Sequence, residues 1–319
     1  MAARMVYGSF GTDTGGSVRL PASATGVLGL KPTHGRVSRH GMMALSPSVD
    51  VPGIFARSAR DVARLLQVVG GFDSLDARCS RRAVDDYESY IGRSLRGVRV
   101  GVPENYFLEQ VSNDVARALE SSLQVLRDAG ASVVSVEVPH AEHFAQLSRA
   151  IVYSEATALH AQLLAERAAD YAPQVRVRAA TGLGIPAPVY LQALQMRAPL
   201  ARAFVEQVFS RCDVLHLPTL CIPVPTLAET DVGNSGVMWE KIALLVRCSA
   251  AFNYLGLPAL SVPCGFTDDG LPTSFQLAAR PFAEGRLLQV ASAYESATDW
   301  WRREPIAPAP ASAVISSSP

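Results

Sequence analysis

The sequence has little lysine and no net charge, and both features narrow the classes of partner. Only two of its 29 basic residues are lysines, Lys31 and Lys241. The 29 basic residues match the 29 acidic ones, so no overall field would draw the chain to nucleic acid or to an anionic membrane. We therefore expect a small neutral or weakly polar ligand and no direct nucleic-acid binding.

A cysteine framework and a membrane signal are missing as well. The five cysteines are scattered, without a C-x-x-C pair or matching histidine spacing, so neither disulfides nor a metal site is indicated and we expect no cofactor. The N-terminus lacks a signal-peptide pattern, and the strongest apolar run, 242–252, is interrupted by Arg247 and too short to span a bilayer. These absences favour a soluble cytoplasmic protein.

The composition that is present, 49% hydrophobic and 18% charged residues among 319, is typical of an ordinary folded globular protein. Strand-like runs alternate with helical periodicity, which predicts an α/β fold with a mixed, largely parallel sheet flanked by helices on both faces. We expect one domain over 1–304 and a disordered Pro/Ala/Ser-rich tail over 305–319.

The element predictions follow from periodicity and end signals. Ser58 and Asp61 indicate the capped start of a helix that ends at Gly70, and 5–10 is expected to be a short buried element. Further helices are predicted over 113–128, 140–171, 189–211, 239–254 and 284–301, and strands over 98–102, 133–138, 213–218, 259–264 and 274–279.

The loop from Gly11 to Ser17 places a hydroxyl directly after two glycines. Glycine permits backbone shapes in which successive N–H groups converge on one point, as in a phosphate cradle or an oxyanion hole. No P-loop or dinucleotide motif is present, so acyl transfer explains the pattern better. A plain tight turn remains the alternative from the pattern alone.

The sequence of this loop closely resembles that of the amidase signature family, which shares Asp-Thr-Gly-Gly-Ser-x-Arg. The similarity continues over most of the chain, through 11–24, 26–41, 46–61, 211–219, 253–266 and 270–281. The resemblance implies that Ser17 is the nucleophile of an acyl-enzyme. It also implies that backbone N–H groups around Thr14, Gly15 and Gly16 form the oxyanion hole. Asp13 and Arg19 are expected either to position the loop, through hydrogen bonds and an ion pair, or to form an ordinary surface turn pair.

The family's serine is activated by a lysine acting through a second serine, and both normally precede this loop. Neither partner is found in the sixteen residues before Ser17, and neither Lys31 nor Lys241 matches the catalytic position. We therefore expect an N-terminally incomplete amidase domain with impaired activity, and an exposed apolar patch near 1–30.

Other residues have more ordinary interpretations. His34 is expected in a structural or pocket role, and His216, Asp50, Arg57 and Cys264 in structural ones. His140, His143 and His160 are predicted on helix surfaces. Ser274 stands where the family usually has glycine, and it either narrows the pocket or shifts a strand.

Three functions follow from the resemblance. The first is a hydrolase that cleaves a small carboxamide through an acyl-enzyme on Ser17, without cofactor or metal. The second is the glutaminase subunit of a tRNA-dependent amidotransferase, which works with partner subunits. The third is an inactive family member that acts as a binding protein. A homodimer is left open in each case.

Overall fold

A computed structural model describes residues 1–231 and 236–304. The predicted tail over 305–319 lies outside the described residues. The strands are β1 (Gly8–Asp13), β2 (Leu28–Lys31), β3 (Val51–Ala56), β4 (Arg99–Pro103), β5 (Ser132–Val136), β6 (Val214–Pro218), β7 (Ala259–Phe266) and β8 (Pro272–Ala279).

The helices are α1 (Arg19–Thr25), α2 (Ala59–Val69), α3 (Asn113–Asp128), α4 (Ala141–Glu166), α5 (Pro173–Ala180), α6 (Ala187–Val208), α7 (Leu227–Thr230), α8 (Val237–Val246), α9 (Ala250–Tyr254) and α10 (Glu284–Ala297). Short 3₁₀ turns occur at Glu88–Tyr90, Ala168–Asp170, Thr181–Gly184 and Trp300–Arg302.

The strands form one mixed sheet in the order β1-β3-β2-β7-β8-β6-β4-β5. One apolar cluster lies under α2, α3 and α10, and a second joins α4, α6 and α9 to the other face, which confirms an α/β fold with helices on both faces. Adjacent residues of β6 show the division, because Val214 belongs to the first cluster and Leu215 to the second.

The prediction of a largely parallel sheet was wrong. Only β5 and β6 run parallel to their neighbour β4, and the other five described strand pairs are antiparallel. The β4-α3-β5 unit has the expected crossover helix, whereas 267–271 connects β7 to β8 in too few residues for a parallel pair. The alternation of helices and strands therefore produced parallel pairing in one part of the described sheet only, at β4, β5 and β6.

Most predicted helices are confirmed, and capping explains their starts. Ser58 accepts a hydrogen bond from the Asp61 N–H at 3.1 Å and begins α2, as predicted. The single helix predicted over 239–254 is instead two helices, α8 and α9, separated by a turn at 247–249. That turn directs Ser249 and Asn253 toward the loop described below.

The N-terminal segment differs from its prediction. Residues 5–10 were expected to be buried, but Met5 and Tyr7 are each 85% exposed and Phe10 is 53% exposed. The reason is that Met5 and Tyr7 lie before β1, and that β1 is an edge strand whose one neighbour among the described strands is β3. An exposed apolar patch near 1–30 is present, as expected.

Among the described residues, no helix combines the length and the apolar character needed to cross a bilayer.

Candidate active site

Ser17 lies in the turn between β1 and α1, and its side chain is exposed. It lines a cavity of about 90 Å³, here called the nucleophile cavity, together with Thr14 and Gly15. The predicted placement of Ser17, on a surface loop just before a helix, is therefore what the structure shows. An exposed hydroxyl in this position can meet a substrate carbonyl.

The Asp13 carboxylate holds the loop beneath Ser17. It accepts hydrogen bonds from the N–H groups of Gly16 at 2.9 Å, Val18 at 3.1 Å and Arg19 at 3.4 Å. A carboxylate in this place satisfies donors that the first turn of α1 would otherwise leave unpaired. It also fixes the direction in which the Ser17 turn leaves the strand.

This arrangement bears on the predicted oxyanion hole. The Gly16 N–H points to Asp13, so it does not face the cavity as expected. Within the described residues the N–H groups of Thr14, Gly15 and Ser17 donate to no protein acceptor. These three are the donors that a developing oxyanion could use.

Gly16 has a different reason to be glycine. Its φ is +132°, and a Cβ atom there would lie 2.4 Å from the Ser249 Oγ. A larger residue would therefore be strained and would push α9 away from the loop.

Arg19 and Asp13 form a fully buried ion pair. The Arg19 Nη2 lies 2.9 Å from Asp13 Oδ1, and its Nε lies 3.1 Å from Oδ2. Burial alone would raise the pKa of Asp13, but the charge and hydrogen bonds of Arg19, with the charge of Lys31, lower it to about 2. The pair is thus charged throughout the physiological range, and the predicted positioning role fits this geometry.

Two further side chains complete the network. Arg19 Nη2 donates to Asn253 Oδ1 at 2.6 Å, and Arg19 Nη1 donates to the Ser249 carbonyl at 3.0 Å and to Gln276. The Asn253 amide donates in turn to the carboxylate and to the carbonyl of Asp13, each at 2.8 Å. Nearly every polar atom of the pair is therefore satisfied, as burial of charge requires.

Neither Asn253 nor Gln276 was assigned a role from the sequence. Both lie in segments that carry the family resemblance, and both interrupt apolar runs, which was the available signal. An uncharged polar residue inside a buried element needs a partner, and here that partner is Arg19.

The outer edge of the loop is tied to a second carboxylate. Thr14 Oγ1 donates to Asp50 Oδ1 at 2.6 Å, and Asp50 Oδ2 accepts from the N–H groups of Leu45 and Ser46, each at 2.8 Å. Burial raises the pKa of Asp50, which these hydrogen bonds partly offset. Asp50 has the structural role that was expected, and it also shapes the candidate site. It holds Thr14 and Leu45 in place, and both of these residues line the nucleophile cavity.

Lys31 lies buried beside this network. Its Nζ donates to the Pro32 carbonyl at 3.0 Å and makes no hydrogen bond to Ser17. Burial, with the nearby charge of Arg19, lowers the pKa of Lys31 to about 7.

The histidines also make no hydrogen bond to Ser17. His216 is a core residue, as predicted, with Nε2 2.8 Å from the Ser122 Oγ and its ring stacked on Phe275 at 4.6 Å. Burial lowers the pKa of His216 to about 3, and burial with the charge of Arg197 does the same for His34. Both rings are therefore neutral at pH 7.

The remaining singled-out residues lie away from the Ser17 loop. Arg57 lines a different cavity, beside Trp300 and Trp301. Cys264 is buried in β7 and Ser274 is buried in β8, and neither lines the nucleophile cavity.

The far wall of the nucleophile cavity comes from helices. Apolar side chains predominate, among them Val152 of α4 and Ile242 and Val246 of α8. Two guanidinium groups, Arg149 and Arg178, also line it, and neither forms an ion pair with a described residue. No cluster of three or more potential metal ligands occurs in the described part of the chain.

Known proteins are similar to this chain over most of its length. The family model described as Amidase matches residues 1–288, and the chain therefore belongs to the amidase family, as its resemblance indicated. An amidase from Pseudomonas putida is 40% identical over 307 residues, which are 96% of this chain and 66% of that protein. The chain thus spans slightly less than two thirds of that relative.

Subunits of glutamyl-tRNA(Gln) amidotransferases are similar too. The one from Roseiflexus castenholzii is 36% identical over 96% of this chain and 66% of its own length. The crystal structure of the corresponding Thermotoga maritima protein has a TM-score of 0.78 at 30% identity, covering 92% of this chain and 63% of that one. A 6-aminohexanoate cyclic dimer hydrolase has a TM-score of 0.84 at 27% identity, covering 95% and 67%.

Proposed function

We propose that this protein hydrolyses a carboxamide by acyl transfer to Ser17. The observation that carries the proposal is the exposed Ser17 hydroxyl on a loop where three N–H groups lack acceptors among the described residues. A tetrahedral intermediate at Ser17 would place its oxyanion among those donors. Family membership supplies the reaction class.

The steps follow from ester and amide chemistry. The Ser17 oxygen attacks the amide carbonyl, the C–N bond breaks, and the amine leaves with a proton. Water then attacks the acyl-enzyme and releases a carboxylic acid. Asp13 and Arg19 take no part in the proton transfers, because the pKa of Asp13 is lowered to about 2 and its carboxylate stays paired with Arg19.

Proton removal from Ser17 is the step that this loop does not provide by itself. No described lysine or histidine hydrogen-bonds to Ser17, and general-base assistance is worth roughly 10²–10⁴-fold. We therefore expect the 319-residue chain to turn over amides slowly. A side-by-side assay with the Pseudomonas putida amidase tests this, since equal rates would contradict it.

The nucleophile itself is tested by covalent labelling. A serine-directed fluorophosphonate should modify Ser17 slowly, because no described lysine or histidine hydrogen-bonds to it, and peptide mass spectrometry after long incubation should locate the label. Ser17→Ala should remove the label. Ser9→Ala is the matched control, because Ser9 is also exposed but lies on β1 away from the cavity. Labelling that survives in Ser17→Ala would refute the assignment.

A second candidate is a glutaminase subunit of a tRNA-dependent amidotransferase, favoured by the relatives that carry the amidotransferase name. It requires glutamine hydrolysis and stable association with partner subunits. Release of ammonia from glutamine, together with co-purification of such partners, would select it over the first proposal.

A further inference from the structure

A second cavity adjoins the nucleophile cavity. It has a volume of about 130 Å³ and is here called the side cavity. The two cavities share four lining residues, Leu45, Val152, Tyr153 and Arg178. The side cavity is therefore a neighbouring space for a group bonded to a carbonyl at Ser17.

The side cavity is built by α4 and α5 and is mainly apolar. Ala156 of α4 and Val175 and Ala179 of α5 supply its inner surface. His160 and Tyr171 also line it, but His160 Nδ1 lies 2.8 Å from the Tyr171 hydroxyl, so these polar atoms pair with each other. The surface favours a ligand group that needs no hydrogen bonds.

The volume of the side cavity and the charges of the lining residues limit the kind of ligand further. A dry protein cavity of about 150 Å³ holds one benzene molecule, so this cavity suits a single ring. Arg178 at the shared boundary can contact a ring face through a cation–π interaction. Among the described lining residues of both cavities there is no carboxylate, so the ammonium group of glutamine would lack a partner.

We infer that the substrate is an uncharged amide that carries a single aromatic or similarly sized apolar ring, held in the side cavity. This inference rests on the proposed function for the position of the carbonyl. It also separates the two candidate activities, because a glutaminase must accept a charged amino acid.

Binding to Ser17→Ala tests the inference without turnover. Titration calorimetry would compare phenylacetamide, its 4-carboxy derivative and glutamine. We expect phenylacetamide to bind at least about tenfold more tightly than either of the others. Tighter binding of glutamine or of the carboxylated compound would overturn the inference and assign Arg178 to an anion.

Two variants in the same Ser17→Ala background locate the ring. Ala156→Leu fills the side cavity from its buried wall, and Val175→Trp fills it from a residue that is 49% exposed, where a change is tolerated by the fold. Each should weaken phenylacetamide binding about tenfold or more. Ala161→Leu, on the exposed face of the same α4, is the control and should bind normally.

Unchanged binding in Val175→Trp would overturn the inference even if Ala156→Leu failed to fold. The proposed function fails separately, through absence of the fluorophosphonate label on Ser17 in the otherwise unchanged chain. The two failures are thus distinguishable.

Discussion

The two sides of the Ser17 loop are built from different chemistry. Beneath the loop, a buried Asp13–Arg19 pair is enclosed by the amides of Asn253 and Gln276. Opposite the hydroxyl, α4, α5 and α8 provide apolar side chains and two arginines that form no ion pair with described residues. In the proposed function, the buried side holds the loop in the shape that acyl transfer needs, whereas the helical side determines which ligand can bind.

The largest effect is expected from breaking the buried pair. Arg19→Met leaves the Asp13 carboxylate buried and uncompensated, so the free energy of unfolding should fall by about 3–5 kcal/mol. Urea denaturation measures it. Arg127→Met is the control, because Arg127 pairs with Glu120 on the exposed surface of α3 and its loss should cost about 1 kcal/mol or less. Similar losses in the two variants would remove the distinction between the buried and exposed pairs.

A smaller loss should follow at the outer edge of the loop. Thr14→Val deprives Asp50 of one hydrogen bond, for an expected cost of about 1–3 kcal/mol in the free energy of unfolding. Thr14→Ser retains the hydroxyl and should recover most of the loss. If Thr14→Ser and Thr14→Val were equally unstable, the methyl group of Thr14 rather than its hydroxyl would be responsible.

The buried Lys31 should make the free energy of unfolding depend on pH. Unfolded, Lys31 holds its proton up to its ordinary pKa of 10.5, whereas in the folded protein its pKa is about 7. The unfolded state therefore binds more protons between these values, and stability should rise with pH there by at most about 1.4 kcal/mol per unit. Denaturation series from about pH 7 to 9 should show a flatter dependence in Lys31→Met than in the unchanged chain. Parallel curves would mean that Lys31 is not titrating in this window.

The smallest change in stability is expected at Ser17 itself. Its side chain is exposed and hydrogen-bonds to no described residue, so Ser17→Ala should alter the free energy of unfolding by less than about 0.5 kcal/mol. Covalent labelling should nevertheless be lost. A destabilisation near that of Arg19→Met would show that the exposed Ser17 side of the loop also stabilises the fold.

The sequence alone was sufficient to identify the loop and most helices, because their signals are local. Caps such as Ser58 and breaks such as Gly70 lie within a few residues of what they control. The partners of Arg19 could not be located that way, since Asn253 is separated from Asp13 by 240 residues and only folding joins them. Strand direction failed for the same reason, because β2 and β7 pair across most of the chain.

The candidate oxyanion donors show a second limit of prediction from sequence. A Gly-Gly-Ser pattern predicts N–H groups that converge, but it does not say which of them the protein itself occupies. Gly16 was included in the prediction because of the family resemblance, yet its N–H donates to the carboxylate of Asp13. Backbone hydrogen bonds of this kind depend on the turn that the loop adopts.

The hydrogen bonds of Arg19 join residues that are far apart in the sequence, and this affects the order in which the chain folds. Arg19 reaches Gln276 across 257 positions, so the loop cannot acquire its final shape until β8 has joined the sheet. Contacts this distant in sequence carry a high loop-closure cost and are typical of slow-folding topologies. A chain emerging from the ribosome would thus carry an unshaped Ser17 loop until β8 had been synthesised.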